Sequence, residues 1–506
     1  MPSGTSMHSS RSGHSPTGFL RLGLPPFHCL GVPESSILTC ACEVAREATL
    51  HRDAMHAPRD LLDTVLGSAL RGGGCYLGEA RGQQIYSGHG RSTLVLGPTR
   101  SGKTTSLIVP NILGHPGPVV ATSTKDELLH VAGPSRRRRG TVALFDPSGT
   151  VDCPSGVALL GWSPLDGCED WDTAMTTASS MVAAAHGHQG ALSSHWHERA
   201  ATLLSSVLHA GAIDGRSMTS VLSWIDRHDG TDAHTILARD TAAAPVALDV
   251  LEGILATADR EQSSIWSTAS GTLSAYRSHA ALASTERERI NPDEFTASAD
   301  TIILCAASRL QRHYAPLLVG ALGTVRDATY HASAAGTLAQ PVLFALDEVA
   351  NIAPLPDLPS LVSEGGGQGL LILACLQDLS QARQRWGGQA DGFVSLFPTT
   401  VVLPGIGDQR TLELLSSLGG DHLVPVRSFS QARGRHGATQ SIGQVFRPQW
   451  TPAALAHGAP ETAIVVGPTK QITEITLTPS HRSMPWLALR GDMERLRSPS
   501  SRDLVR

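Results

Sequence analysis

The segment Thr93-Leu-Val-Leu-Gly-Pro-Thr-Arg-Ser-Gly-Lys-Thr-Thr105 holds the densest chemistry in the sequence. Gly97 to Thr104 reads G-x-x-x-x-G-K-T, the phosphate-binding loop pattern, with an apolar run before it and a helical stretch, Thr104 to Val109, expected to stop at Pro110. Glycines let the backbone curl around phosphate oxygens, and the N–H groups and helix start supply partial positive charge. Lys103 is expected to neutralise the β and γ phosphates and Thr104 to ligate Mg²⁺. Gly97, Pro98, Thr99, Arg100, Ser101, Gly102, Lys103, Thr104 and Thr105 together are expected to hold ATP. A second apolar run, Val342-Leu-Phe-Ala-Leu-Asp-Glu348, ends in two acids. Asp347 is expected to hold the Mg²⁺ shell and Glu348 to polarise an attacking water. A third run, Leu370 to Leu376, ends at Gln377, whose amide can read the γ-phosphate and place that water.

These residues need a sheet to converge. The apolar runs Thr93–Leu96, Val119–Ser123, Thr141–Phe145, Thr301–Cys305, Val342–Leu346, Leu370–Cys375, Thr399–Leu403 and Thr462–Val466 lack polar alternation. That pattern fits strands buried on both faces, as in a parallel α/β sheet. Between Gly167 and Ile290 the texture changes to Ala and Leu at helical spacing, as in Ala200, Leu203, Leu204, Val207 and Leu208. The expected organisation is an N-terminal segment (1–74), two parts of a nucleotide-binding domain (75–166 and 291–485) around an all-α insertion (167–290), and a tail (486–506). Residues 1–17 are expected to be disordered. Residues 34–70 carry mixed helical character, residues 426–450 a Ser/Gly/Arg/Gln-rich loop, and the stretch from Met484 a basic amphipathic helix that then frays.

The chain has 506 residues, 41% hydrophobic and 17% charged, with a net charge of -5. That excludes a globally basic nucleic-acid coat but not a local basic channel. Only Lys103, Lys125 and Lys470 are lysines, so a lysine at the phosphate position of an arginine-biased chain carries weight. None of the eight cysteines forms a CxxC pair, which reads as reduced thiols. No apolar stretch reaches the roughly 18 residues of a membrane span, so cytoplasmic placement is expected, peripheral at the inner face of the membrane through a partner.

Taken in order, Gly97-Pro-Thr-Arg-Ser-Gly-Lys-Thr104, Ser123-Thr-Lys-Asp126, Asp146-Pro-Ser-Gly149, Trp162-Ser-Pro-Leu-Asp166, Asn291-Pro-Asp-Glu-Phe295, Leu346-Asp-Glu348 and Leu376-Gln377 resemble the type IV secretion coupling proteins. These are the TraG/TraD-like conjugative DNA-transfer ATPases, similar to the FtsK/HerA motors. The resemblance runs from about Cys75 to Pro485. It implies a RecA-like core interrupted by an all-α domain, a homo-hexameric ring, and ATP-driven transfer of DNA with its relaxase to a secretion channel. Two departures stand out. Members usually carry N-terminal membrane helices, and none is visible here, which leaves attachment through a partner or a truncated N-terminus. Members often place an arginine before the Gln-bearing strand, to act on a neighbour's ATP, where this sequence has Gly366; Arg383, Arg385 and Arg410 are substitutes.

Two other readings stay open. One is an FtsK/HerA-like DNA pump without a secretion channel, and the other a non-hydrolysing adaptor that recruits relaxase. The histidines His186, His188, His195 and His197 lack metal-site spacing and nearby cysteine, so no metal is expected there. The run Arg136–Arg139 is expected to be a solvated turn.

Overall fold

The computed structural model describes residues 28–29, 74–187, 191–431 and 438–490. The expectations for residues 1–17 and 34–70, for His188 and for the end of the tail fall outside these.

A two-residue strand β1 (His28–Cys29) precedes the hairpin β2 (Tyr76–Ala80) and β3 (Gln83–Tyr86). Next come β4 (Thr93–Leu96), helix α1 (Val109–Gly114), β5 (Val119–Ser123), β6 (Val142–Phe145) and β7 (Ala158–Leu159). Helices then dominate, among them α2 (Trp171–His186), α3 (Ala191–Ile213), α4 (Pro245–Leu255) and α5 (Asp259–Thr272). The chain returns to the sheet with β8 (Thr301–Cys305), α6 (Gln311–Ala334), β9 (Val342–Leu346), β10 (Leu370–Leu376), α7 (Leu379–Trp386) and β11 (Thr399–Val402). Two long strands, β12 (Asp421–Gln431) and β13 (Ala438–Pro448), pair only with each other. Strands β14 (Thr462–Val466) and β15 (Ile472–Thr476) and the short helix α8 (Trp486–Arg490) follow.

The main sheet runs β1-β3-β2-β15-β14-β11-β4-β10-β9-β5-β8-β6-β7. From β11 to β7 every pairing is parallel, and the far side from β14 to β2 is antiparallel. This is a RecA-like α/β core with a mostly parallel sheet. Strands β4, β5, β6, β8, β9 and β10 are buried along their whole length, which is why they read as unbroken apolar runs. Two layers of buried side chains cover the sheet. One is continuous with the helical segment and the other with α1 and α8.

Trp162 fastens the first part of the core to the second. Its ring packs on α6 at Gly320, where a Cβ would lie 2.1 Å from the indole, and its Nε1 donates to Thr324 Oγ1 at 3.0 Å. Only glycine permits that approach.

The structure corrects three expectations. Pro110 does not stop the helix after the phosphate-binding loop. The first turn, Thr104–Ile108, is π-helical and runs straight into α1, so Pro110 lies inside a continuous helix, and the Thr105 carbonyl five residues back accepts instead from the Ser480 N–H at 2.9 Å. Arg136 is not in a solvated turn. It is fully buried, donating to Thr301 Oγ1 (2.7 Å) and to the carbonyls of His115, Gly117 and Ala299. Arg137, Arg138 and Arg139 likewise reach the carbonyls of Ser155, Leu489 and His115. The Ser/Gly/Arg/Gln-rich stretch around 426–450 contains the β12–β13 ribbon rather than a loop, with Leu423, Ile442, Val445 and Phe446 exposed on it. The helix expected after Met484 is present as α8 and docked: Trp486 is fully buried, its ring centroid 4.9 Å from that of Tyr76.

Among the described residues no helix is long and apolar enough to cross a membrane. His186 stacks on His197 with centroids 4.7 Å apart, and His195 pairs with Glu261 at 3.5 Å.

Candidate nucleotide site

Parallel pairing brings the site together. Leu96, the last residue of β4, is level with Leu376 of β10 and Val402 of β11, and Leu346 of β9 is level with Ala374 of β10 and Thr122 of β5. The residues that follow these strands therefore emerge on one edge of the sheet, where parallel α/β folds bind ligands. They are the Gly97–Thr105 loop, Asp347-Glu348, Gln377 and Thr124-Lys125.

A cleft of about 610 Å³ opens there. Thr99, Arg100, Ser101, Gly102, Lys103, Thr104, Thr105, Asp347, Glu348 and Gln377 all line it. Gly97 and Pro98, expected in the cradle, do not line the cleft. Their carbonyls instead accept from Lys103 Nζ, at 2.9 Å for Pro98. Gly97 is also hemmed in, since a Cβ there would sit 2.9 Å from Leu403 Cβ. Gly102 adopts φ +95° and Arg100 φ +62°, so the loop curls through left-handed backbone as a phosphate cradle must. Ser101 Oγ is buried without a hydrogen-bond partner among the described residues. An orphaned hydroxyl in such a cradle fits an oxyanion.

Thr104 Oγ1 donates to Asp347 Oδ2 at 2.7 Å, which puts the two expected metal ligands side by side. Burial pushes the Asp347 carboxyl above its ordinary range, and the Thr104 hydrogen bond and the Lys103 charge pull it back. A buried carboxylate and a hydroxyl, facing the cleft side by side, are a donor set suited to a hard divalent cation. Thr122 Oγ1 fixes the strand end by donating to Asp347 O at 2.8 Å.

Glu348 sits at φ +52°, a left-handed conformation that costs a β-carbon residue about 1–3 kcal/mol. That turn aims its carboxylate between two amides. Asn351 Nδ2 donates to Oε2 at 3.2 Å, and Gln377 Nε2 lies 3.5 Å from Oε1. Gln377 is itself held by Gln381, whose Oε1 accepts from the Gln377 N–H at 2.9 Å. Sequence reasoning missed Asn351 and Gln381. The signal available was their spacing, three residues after Glu348 and four after Gln377, in the first turn of the helix that follows each strand. Lys125 also lines the cleft, so two of the three lysines face it.

The structure also explains the missing arginine. A Cβ at Gly366 would lie 1.9 Å from Gly90 O, so no side chain fits there. Of the substitutes, Arg383 pairs with Asp408 and Asp391, and Arg410 with Asp391 at 2.6 Å. Arg385 is in neither pair.

The family model described as "Type IV secretory system Conjugative DNA transfer" matches residues 46–470. The chain is 21% identical to the conjugal transfer protein TraG of Agrobacterium fabrum over 387 residues, covering 72% of this chain and 56% of that protein. It is 25% identical to the conjugal transfer protein TraG of Escherichia coli over 428 residues, covering 77% and 65%. It thus spans less than two thirds of the length of either relative. Among solved structures it resembles the unbound bacterial conjugative coupling protein TrwBdeltaN70, with a TM-score of 0.59 at 18% identity, covering 80% of this chain and 88% of the other. TrwB in complex with ADP and Mg²⁺ gives a TM-score of 0.56 at 19% identity, covering 77% and 86%. These two likenesses concern the fold.

Proposed function

The chain belongs to the type IV secretory system conjugative DNA transfer family, and from that premise we propose that it is an ATP-hydrolysing motor that moves DNA and couples a relaxase–DNA substrate to a secretion channel. The observation that carries this reading is the convergence of Lys103, Thr104, Asp347, Glu348 and Gln377 on one cleft. A structural neighbour holds ADP and Mg²⁺ in its structure, and the cradle, the orphaned Ser101 hydroxyl and the Thr104–Asp347 pair fit the same groups here.

In this proposal Lys103 exchanges its two loop carbonyls for phosphate oxygens. Thr104 and Asp347 hold the cation, whose charge when bound offsets the negative charge that builds on the transferring phosphoryl group. Glu348 accepts a proton from the attacking water, and Asn351 keeps its carboxylate aimed. Gln377 orients the water and the terminal phosphate. Working partners are DNA bound without sequence preference, relaxase and channel components, and the working form is a homo-hexamer.

The test is ATP turnover with and without DNA. Lys103→Ala and Glu348→Gln should both lose hydrolysis, by about 10²–10⁴ in rate for the base, while Glu348→Gln still binds ATP. Near-normal turnover by Glu348→Gln would overturn its role. Wild-type turnover indifferent to DNA would overturn the motor.

A further inference from the structure

A second polar cavity, about 370 Å³, lies where the helical segment meets the ATPase core. Its walls come from the end of α2 (His186), the start of α6 (Arg312), the turn after β9 (Asn351) and α7 (Gln381, Gln384 and Arg385). No carboxylate lines it, and the first turn of α6 contains none. Arg385 also lines a neighbouring cavity, again without an acid. Its Nε is buried with no hydrogen-bond partner among the described residues. Burial and the charge of Arg312 both pull the Arg385 guanidinium below its ordinary range. Gly187, at φ +67°, keeps the space open, since a Cβ there would come within 2.9 Å of Arg385 Nη1.

Two guanidiniums that repel each other, one of them partly desolvated, raise the free energy of the empty cavity. An oxyanion removes both costs, and guanidiniums match phosphate with paired donors. The amides of Asn351, Gln381 and Gln384 add neutral donors and acceptors of the kind that meet a sugar or base edge. Asn351 and Gln381 also hold Glu348 and Gln377 from behind, so this cavity shares walls with the nucleotide cleft.

We propose that Arg312 and Arg385 form a phosphate-binding site between the helical segment and the ATPase core, occupied by a backbone phosphate of the transported strand. The choice of a strand over a free phosphate ion rests on the DNA reading above. The phosphate chemistry itself stands on the cavity alone.

The full chain, with its nucleotide cleft saturated by ADP and Mg²⁺, is compared with Arg385→Gln and Arg312→Gln. Inorganic phosphate should raise the wild-type Tm, because a ligand that binds only the folded state stabilises it. Each variant should lose that rise, and its ligand-free Tm should be no lower than wild type, since it sheds an unpaired charge. A labelled oligo-dT should bind each variant about tenfold more weakly, with a salt slope shallower by about 0.7. An undiminished phosphate effect in both variants overturns the site. So does a ligand-free Tm several degrees lower, which would make the guanidiniums structural. A changed oligomeric state without any phosphate effect would assign the pair to a carboxylate of a second copy and also overturn it. Loss of the phosphate effect with unchanged strand binding supports the site and assigns it to free phosphate. A wild type that binds no strand sinks the DNA reading, and the phosphate measurement still decides the site.

Discussion

Glu348 illustrates how a residue's role depends on backbone as much as on side-chain type. Its φ of +52° turns the carboxylate toward Asn351 and Gln377, and the strain persists because β9 and the following turn are packed around it. Asn351 does no proton chemistry in the proposed reaction, so its loss should be milder than that of the base. We expect Asn351→Ala to lower kcat about tenfold, in the range typical for removing a supporting hydrogen bond, with ATP affinity unchanged. A matching loss of ATP affinity would show that Asn351 serves binding instead. Gly366 makes the opposite case. Arginine is the residue that the family resemblance favours there, yet Gly90 O leaves no room for even a β-carbon. Gly366→Arg should therefore lower Tm by several degrees and raise no activity. A folded, more active variant would mean that the Gly90 loop yields easily.

Among elements, the parallel strands were the most legible. Strands such as β5, β8 and β9 are buried on both faces, so their sequences carry no polar alternation to obscure them, and the residues at their ends could be assigned to one edge. What sequence reasoning lost was non-local. The β12–β13 ribbon pairs outside the main sheet, and its Ser, Gly, Gln and Arg interrupt the apolar residues, four of which, Leu423, Ile442, Val445 and Phe446, are exposed, so no buried face marks the strands in the sequence. The arginine run hid a structural clamp, because nothing in four consecutive arginines says which one will be engulfed. Arg136 gathers carbonyls from the loops around β5 and β8, and His115 lies beside it. Burial and then Arg136 press the His115 imidazole down to about 3, against the ordinary 6.5. Its ring nitrogen lies 2.7 Å from Pro341 O, a contact that pulls the other way, toward the charged form, without offsetting burial and the arginines. The unfolded chain takes up a proton below pH 6.5 and the folded chain does not until about 3. This group therefore stabilises fully above pH 6.5, and the contribution falls as pH drops toward 3. His115→Gln should flatten the urea midpoint against pH across that window, by up to about 1.4 kcal/mol per pH unit. Parallel curves for wild type and variant would show that the ring is not held neutral.

The whole molecule sets a harder problem, because its net charge of -5 gives no general attraction for DNA. Affinity must come from local surfaces, and in the proposed ring those surfaces repeat around a pore, so modest contacts act together through effective concentration. A ring also places each nucleotide cleft beside a neighbour. Gly366 has no side chain to offer that neighbour, and Arg383 and Arg410 are committed to acids within their own chain. Of the three substitutes only Arg385 is without an acid partner among the described residues, and sequence alone could not single it out. The consequence for assembly can still be measured. Lys103→Ala subunits should enter the ring normally, since among the described residues Lys103 bonds its own loop carbonyls. If one dead subunit in six stops a ring, a tenth of dead subunits should remove about half of the activity rather than a tenth. Turnover is therefore measured in mixtures of wild type and Lys103→Ala at fixed total protein. A curve falling well below the dilution line supports neighbours that fire together. A straight line, from a species that sediments as a monomer, would mean that each cleft works alone and the ring is not the working form.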